Sequence, residues 1–164
     1  RAAMICQTLK VKESLITPER GAAPVDAHQW QALLRSLSGY EPYRRVYDAR
    51  IVPRRVLEFV LKQENFSRSL AGCLIEMRRT IDVLATSTGG ARDLDLLVTR
   101  ILETLRLTDP GELLTSGSFS IFLAELSELC HQMERAADRS FFATLRPPVE
   151  HDLGVRSIGA VVQQ

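Results

Sequence analysis

The sequence predicts an all-α fold, an antiparallel helical bundle built from about six to seven helices of mixed length. Apolar residues recur at intervals of three and four through most of the chain, which is the spacing of a buried helical face. No segment alternates apolar and polar residues long enough to predict a strand. With 164 residues, 45% of them hydrophobic and 25% charged, the chain has the composition of an ordinary globular domain.

The first half of the chain divides into short helical segments. Residues 17–25 are rich in proline and glycine and predict a loop. Asp26 can cap the helix that follows it, and Gly39 is predicted to end that helix. The predicted helices of this half cover residues 1–12, 26–37, about 41–48 and about 53–61.

Three longer amphipathic helices are predicted in the second half. Asn65 can cap the first of them, which runs up to a flexible connection at residues 86–91, and the second follows that connection. Asp109, with a proline and a capping-box glutamate after it, predicts a short helix that ends near Gly117. The third long helix begins near Ser118.

The packed domain is expected to cover residues 1–146. Two prolines end the last helix, and residues 147–164 contain few large apolar groups, which indicates a loose C-terminal tail. Because the chain begins with Arg1 in the middle of a helical pattern, we expect the natural protein to extend further upstream.

Charge and cysteine content exclude several classes of protein. The 21 basic and 20 acidic residues nearly balance, which gives no support to a nucleic-acid partner. No apolar run is long enough to span a membrane, and no signal peptide is recognisable. Cys6, Cys73 and Cys130 are far apart among apolar residues, so we expect reduced core thiols in a cytoplasmic protein.

The usual catalytic and cofactor motifs are not recognisable in the sequence. Glu128 and His131 have the spacing of a di-iron ligand pair, but no second such pair exists and Glu128 falls on the solvated side of its helix. The glycines in residues 86–91 lack the spacing of a phosphate-binding loop. We therefore expect no metal, no cofactor and no catalytic residues in this chain.

The segment 30–55 is the most informative part of the chain. It holds the single tryptophan and all three tyrosines, with six arginines interleaved among them. On a helix, Tyr43 and Tyr47 lie one turn apart on the same face, and Arg44 and Arg45 flank them. These aromatic and cationic residues are Trp30, Arg35, Tyr40, Tyr43, Arg44, Arg45, Tyr47, Arg50, Arg54 and Arg55.

Two interpretations of this segment are open. Aromatic walls with guanidinium anchors can form a site for an anionic or peptide-like ligand, or a protein interface. Alternatively, the tyrosine hydroxyls and arginines satisfy buried carboxylates such as Glu41, Asp48 and Glu58 where helices meet.

Several segments resemble the alpha-E family of bacterial helical proteins, and they follow in the same order. These segments are WQALLRS at residues 30–36, YEPYRRVY at residues 40–47 and FSRSLAGCL at residues 66–74. RAAMI at residues 1–5 resembles the family's Glu-Arg motif without its glutamate. The resemblance covers residues 1 to about 143, roughly the C-terminal half of the family domain, which implies a missing N-terminal half.

The resemblance also implies a context. Alpha-E proteins tend to be encoded or fused with ATP-grasp peptide-ligase-like and transglutaminase-like proteins, so those are the expected partners. We expect a non-catalytic binding or accessory module acting in bacterial peptide synthesis or modification. The expected contact residues for a partner or ligand are Arg1, Trp30, Arg35, Tyr43, Arg44, Arg45, Tyr47 and Arg68.

Two alternatives remain open on the sequence alone. One is an enzyme whose active site spans this chain and the missing N-terminal half. The other is a purely structural or dimerisation bundle.

Overall fold

The computed structural model describes residues 1–16, 27–85 and 92–142. Within those ranges the chain forms eight α-helices, a final π-helical turn and no strand, so the predicted all-α class is confirmed. The helix count is one above the predicted range. The elements are α1 (Ala2–Ile16), α2 (Ala27–Ser36), α3 (Tyr40–Tyr47), α4 (Pro53–Lys62), α5 (Leu70–Ala85), α6 (Arg92–Leu107), α7 (Pro110–Ser116), α8 (Phe119–Ala137) and the π-helical turn (Asp138–Phe142).

Some predictions fall outside the described residues. They are the loop at 17–25, the Asp26 cap, the connection at 86–91 and the C-terminal tail at 147–164.

The four longest helices pack in a closed ring. Helix α1 packs on α8, α8 on α6, α6 on α5, and α5 returns to α1. The sequence predicted three long helices, and α1, at 15 residues, is the fourth. The short helices form a second group, in which α4 contacts α2, α3 and α7 and joins them to α5.

The core consists of the apolar stripes that the periodicity predicts. The stripes of α1, α2 and most of α8 are buried, and they meet the buried faces of α4, α5 and α6. Among the largest fully buried side chains are Trp30, Leu33, Leu34, Tyr43, Phe59, Leu74, Ile101 and Phe119. Among the helices in the described ranges, none is long and apolar enough to cross a bilayer.

Helix α2 ends one residue earlier than predicted. Ser38, not Gly39, adopts the left-handed conformation, with φ of 54°. The Ser38 N–H donates to the Arg35 carbonyl at 2.9 Å and the Gly39 N–H donates to the Leu34 carbonyl at 2.7 Å, the two bonds of a Schellman motif. Gly39 fits its position for a different reason, because a Cβ there would be in tight contact, at 3.2 Å, with the rings of Phe59 and Phe66.

Helix α5 starts four residues later than the Asn65 cap predicted, so that prediction is wrong. Residues 63–69 instead form turns around buried Phe66, whose ring stacks on Phe59 with centroids 4.8 Å apart. The Ser69 hydroxyl caps the helix by accepting from the Gly72 N–H at 2.9 Å. The buried aromatic side chain therefore holds the chain in turns, overriding the local capping preference of Asn65.

Helix α7 confirms its predicted boundaries. The Asp109 carboxylate accepts from the Gly111 N–H at 2.6 Å, and Pro110 occupies the first helical position. Gly117 ends the helix in the left-handed conformation, with φ of 71°.

Candidate functional site

Two of the expected contact residues lie inside the core. Trp30 and Tyr43 are 1% and 0% exposed, so neither offers surface to a ligand or partner. The Tyr43 hydroxyl donates to the Arg50 carbonyl at 3.0 Å and accepts from the Val52 N–H at 3.4 Å. Tyr43 therefore ties α3 to the start of α4 through backbone groups. The expectation that Tyr43 contacts a partner or ligand directly is therefore wrong. Tyr43 instead supports the connection between α3 and α4.

Two arginines lie over the ring of Tyr40. The guanidinium carbons of Arg35 and Arg44 lie 5.2 and 5.8 Å from the centroid of the Tyr40 ring. Arg44 also pairs with the exposed carboxylate of Glu41 at 3.6 Å. The sequence could have shown the pairing of Tyr40 with Arg44, since residues four apart on a helix are neighbours.

A third arginine, Arg55, lies over Tyr47, the last tyrosine of α3. The Arg55 guanidinium carbon lies 6.0 Å from the ring centroid of half-buried Tyr47, and Arg55 pairs with Asp48 at 3.6 Å. Burial and the neighbouring Glu58 carboxylate raise the pKa of the Tyr47 phenol. Tyr47 packs on Tyr43 with ring centroids 5.3 Å apart, so the core residue supports the surface residue.

These side chains form what we term the arginine–tyrosine face. Its ion pairs and cation–π contacts are exposed, and such contacts each contribute about 1 kcal/mol or less to stability. The arginines do pair with carboxylates, but Glu41 and Asp48 are exposed, so the prediction that these carboxylates are buried is wrong. The interpretation of the segment as a ligand site or protein interface stays a prediction. The members of the face are Arg35, Tyr40, Arg44, Arg45, Tyr47 and Arg55.

Arg1 and Arg68 lie in a different place, a cleft of about 390 Å³ that we term the α1–α5 cleft. Arg68 precedes α5, and Arg1 precedes α1 and is the residue matched above to the arginine of the Glu-Arg motif. The cleft was not predictable from the sequence, because only folding brings its walls together, and both arginines had been grouped with segment 30–55. The cleft is lined by Arg1, Met4, Ile5, Thr8, Ser36, Leu37, Ser67, Arg68 and Cys73.

Cys73 is only half-buried, which corrects its prediction as a core thiol. Its Sγ donates to the Ser67 carbonyl at 3.2 Å. Burial raises the pKa of the Cys73 thiol, so the group is protonated at neutral pH and is not an activated nucleophile.

The other two cysteines are fully buried and in contact, as core thiols of α1 and α8. The hydrogen bond with Cys130 and burial raise the pKa of the Cys6 thiol. The two thiols are free in this structure, and they mark where α1 and α8 meet.

The Glu128 and His131 pair is exposed, as its helical phase predicted. The Glu128 carboxylate accepts from Gln132 at 3.1 Å and from Arg135 at 3.0 Å. Those hydrogen bonds lower the pKa of the Glu128 carboxyl. Across the described ranges, no group of three or more His, Cys, Asp and Glu side chains is arranged to hold a metal ion.

Comparison with known proteins gives one match. A family model described as a predicted alpha-helical domain with a conserved ER motif, Alpha-E, matches residues 1–142. The chain belongs to the Alpha-E family. The match covers all eight helices of this Alpha-E domain and the π-helical turn, and so includes both the face and the cleft. No curated protein and no solved structure shows a significant similarity to the chain.

Proposed function

We propose that this Alpha-E domain is a non-catalytic accessory module that binds an ATP-grasp-type peptide ligase through the arginine–tyrosine face. The partner carries the chemistry, and a transglutaminase-like protein can share the assembly. The observation that supports this most directly is the stacking of three guanidinium groups on Tyr40 and Tyr47 at the surface.

Residue type supports an interface at this face. Tyrosine and arginine are the residues most enriched at the energetic centres of protein interfaces. A guanidinium already stacked on a ring loses less freedom on binding than a free side chain does, so a partner carboxylate meets a preorganised donor. Arg45 stands beside this stack on α3 with an exposed side chain.

Charge supports an acidic partner. Residues 27–62 hold seven basic and three acidic side chains, a net charge of +4, whereas the whole chain carries +1. The remainder of the molecule is therefore net acidic, and the positive potential is concentrated around α2, α3 and α4. Such a patch accelerates encounter with a negative surface and sets the orientation of docking.

The test is co-purification of the domain with the ATP-grasp-type protein encoded beside it. The double substitution Arg44→Ala with Arg45→Ala should weaken the complex at least about tenfold, since two charged contacts are removed. Arg79→Ala with Arg100→Ala removes two exposed arginines from α5 and α6 and is the charge-matched control.

The outcomes separate the alternatives. Loss of the complex only in the Arg44 and Arg45 variant, at an unchanged melting temperature, supports the proposal. Equal binding by both variants and the parent chain contradicts it. Self-association of the domain that is lost in the same variant would indicate a dimerisation surface instead, and would also contradict it.

A further inference from the structure

The α1–α5 cleft has a wall built by the end of α2. Ser38 lies at the left-handed position of the Schellman motif, and its hydroxyl accepts a hydrogen bond from the Arg68 guanidinium. Arg68 stands directly before the start of α5. There the Ser69 hydroxyl accepts a hydrogen bond from the Gly72 N–H and caps the helix. The Ser38 hydroxyl, just after the end of α2, therefore positions the Arg68 guanidinium, and the capped start of α5 positions the Arg68 backbone.

A serine at this position is energetically unfavourable. Left-handed backbone is strained for residues other than glycine and asparagine, and glycine is the usual residue at the position. The gain that offsets this cost in the structure is the hydroxyl contact with Arg68. Strain of this kind is concentrated at sites that bind something.

The hydroxyls of the cleft present acceptors. Thr8 Oγ1 donates its proton to the Met4 carbonyl at 2.8 Å, and Ser36 Oγ donates to the Leu33 carbonyl at 2.7 Å. Each oxygen keeps lone pairs that can accept from an N–H of a ligand. The cleft thus combines guanidinium donors at Arg1 and Arg68 with hydroxyl acceptors along α1 and α2.

The remaining lining is uncharged, and it is apolar except for Ser67 and Cys73. Ile5 and Leu37 are buried beneath the cleft, and Met4 is 72% exposed at its edge. The Cys73 thiol is protonated and adds no negative charge that would repel an anion. Among the residues that the structure describes, no carboxylate lines the cleft, in contrast to the hollow between α4, α5 and α6, where Glu64 and Glu103 contribute.

We infer that the α1–α5 cleft binds a small amide that carries a free carboxylate, of the kind found at the C-terminus of a peptide. Arg68 and Arg1 receive the carboxylate through paired N–H donors, and the Thr8 and Ser36 oxygens accept from the amide N–H groups. Met4, Ile5 and Leu37 contact the apolar part. A volume of about 390 Å³ lies within the range of small-molecule sites.

This inference is independent of the docking partner and of the arginine–tyrosine face. Its test uses the whole chain and the dipeptide N-acetyl-alanyl-alanine, titrated by calorimetry or by amide NMR shifts. The same dipeptide with a C-terminal amide tests the need for the carboxylate. Inorganic phosphate tests whether any oxyanion suffices.

The expected result is saturable binding of the free acid, at least about tenfold weaker binding of the C-terminal amide, and no comparable binding of phosphate. Arg68→Gln should weaken binding of the acid by about tenfold or more. Arg79→Gln, which removes an exposed arginine elsewhere on α5, should leave it unchanged.

Substitutions at Ser38 distinguish a loss of Arg68 positioning from a loss of folding stability. Glycine and asparagine both accept a positive φ, but only asparagine can accept a hydrogen bond from Arg68. Ser38→Gly should weaken binding several-fold without lowering the melting temperature, and Ser38→Asn should restore it. Equal affinity for acid and amide, tighter binding of phosphate, or equal binding by Ser38→Gly and Ser38→Asn would each overturn the inference.

Discussion

Tyr43 shows how one buried side chain organises the residues around it. It presents one ring face to Tyr47, its edge meets Phe59 at a centroid distance of 5.7 Å, and its hydroxyl bridges the backbone at Arg50 and Val52. The segment between α3 and α4 makes few other contacts of this kind. The position of the arginine–tyrosine face therefore depends on this phenol.

Tyr43→Phe should destabilise the domain by about 1 kcal/mol, because the Arg50 carbonyl and the Val52 N–H lose a partly buried hydrogen-bond partner while the ring packing stays. Urea unfolding measures the change. Tyr40→Phe is the matched control, since Tyr40 is only partly buried and its contacts with arginine use the ring. An equal loss in both variants would contradict the role assigned to the Tyr43 hydroxyl.

The same phenol gives a pH dependence. Burial raises the pKa of Tyr43 above its ordinary value, so the unfolded chain loses this proton first as pH rises. Its contribution to stability is complete below about pH 10 and is lost as pH rises above that value. The parent chain should therefore lose more stability above pH 10 than Tyr43→Phe does.

At the residue scale, the burial of the apolar stripes was predictable, whereas the side chains available for contact were not. Trp30 lies on the apolar face predicted for α2 and is buried there, so its additional assignment as a contact residue is wrong. Whether a tyrosine faces the core or the solvent depends on how α3 sits against α2 and α4, which helical periodicity over eight residues cannot fix. Tyr43 was assigned as a contact residue for that reason, although its side chain is buried.

Among the elements, the start of α5 is the most tightly constrained. A Cβ on Gly72 would lie 2.2 Å from the Phe66 carbonyl oxygen, a distance that requires the backbone to move. Gly117, at the end of α7, is constrained by its backbone conformation and not by space. Its φ is 71°, and nothing lies within 4 Å of a Cβ there.

Gly72→Ala should therefore destabilise the domain by about 3 kcal/mol, whereas Gly117→Ala should cost about 1 kcal/mol of backbone strain. Thermal unfolding of the two variants measures the difference. Similar costs at both positions would show that the packing of residues 66–72 is looser than described.

Element boundaries were predictable where a local signal decides them. Asp109 and Gly117 bound α7 as expected, because capping is a contact between near neighbours in sequence. The Asn65 prediction was wrong because Phe66 packs on Phe59, a residue of α4, and that contact between elements outweighs the cap. The α1–α5 cleft was missed on the same ground, since its walls come from α1, α2 and α5.

On the scale of the whole molecule, the ring of α1, α5, α6 and α8 is held most extensively where α1 meets α8. Cys6 and Cys130 lie in that interface and are 1% and 0% exposed, whereas Cys73 is half-buried beside the cleft. The Cys73 thiol therefore reports on the cleft, and the Cys6 and Cys130 thiols report on the interface between α1 and α8.

An aromatic disulfide reagent should therefore modify a single thiol, Cys73, without unfolding, and Cys6 and Cys130 only at the rate of global opening. Absorbance of the released thiolate follows both phases. Cys73→Ser should abolish the first phase alone. Early modification of two thiols would mean that α1 separates from the ring without global unfolding.

The fold class followed from the sequence because apolar periodicity is a property of each helix by itself. The packing order did not, since many pairings of eight amphipathic helices bury the same stripes. In particular, nothing in residues 1–12 indicates that their main partner lies near residue 130.

That distance along the chain has a consequence for biosynthesis. More than 120 residues separate Cys6 from Cys130, and ribosomes add about 5–20 residues per second. Helix α1 must therefore wait on the order of ten seconds for α8 to leave the ribosome. Helices α2 and α5 are made earlier and can cover part of its apolar stripe, but the part that α8 covers stays exposed. During that interval the nascent chain presents a ready substrate for chaperones, and the ring can close only after the last helix has been made.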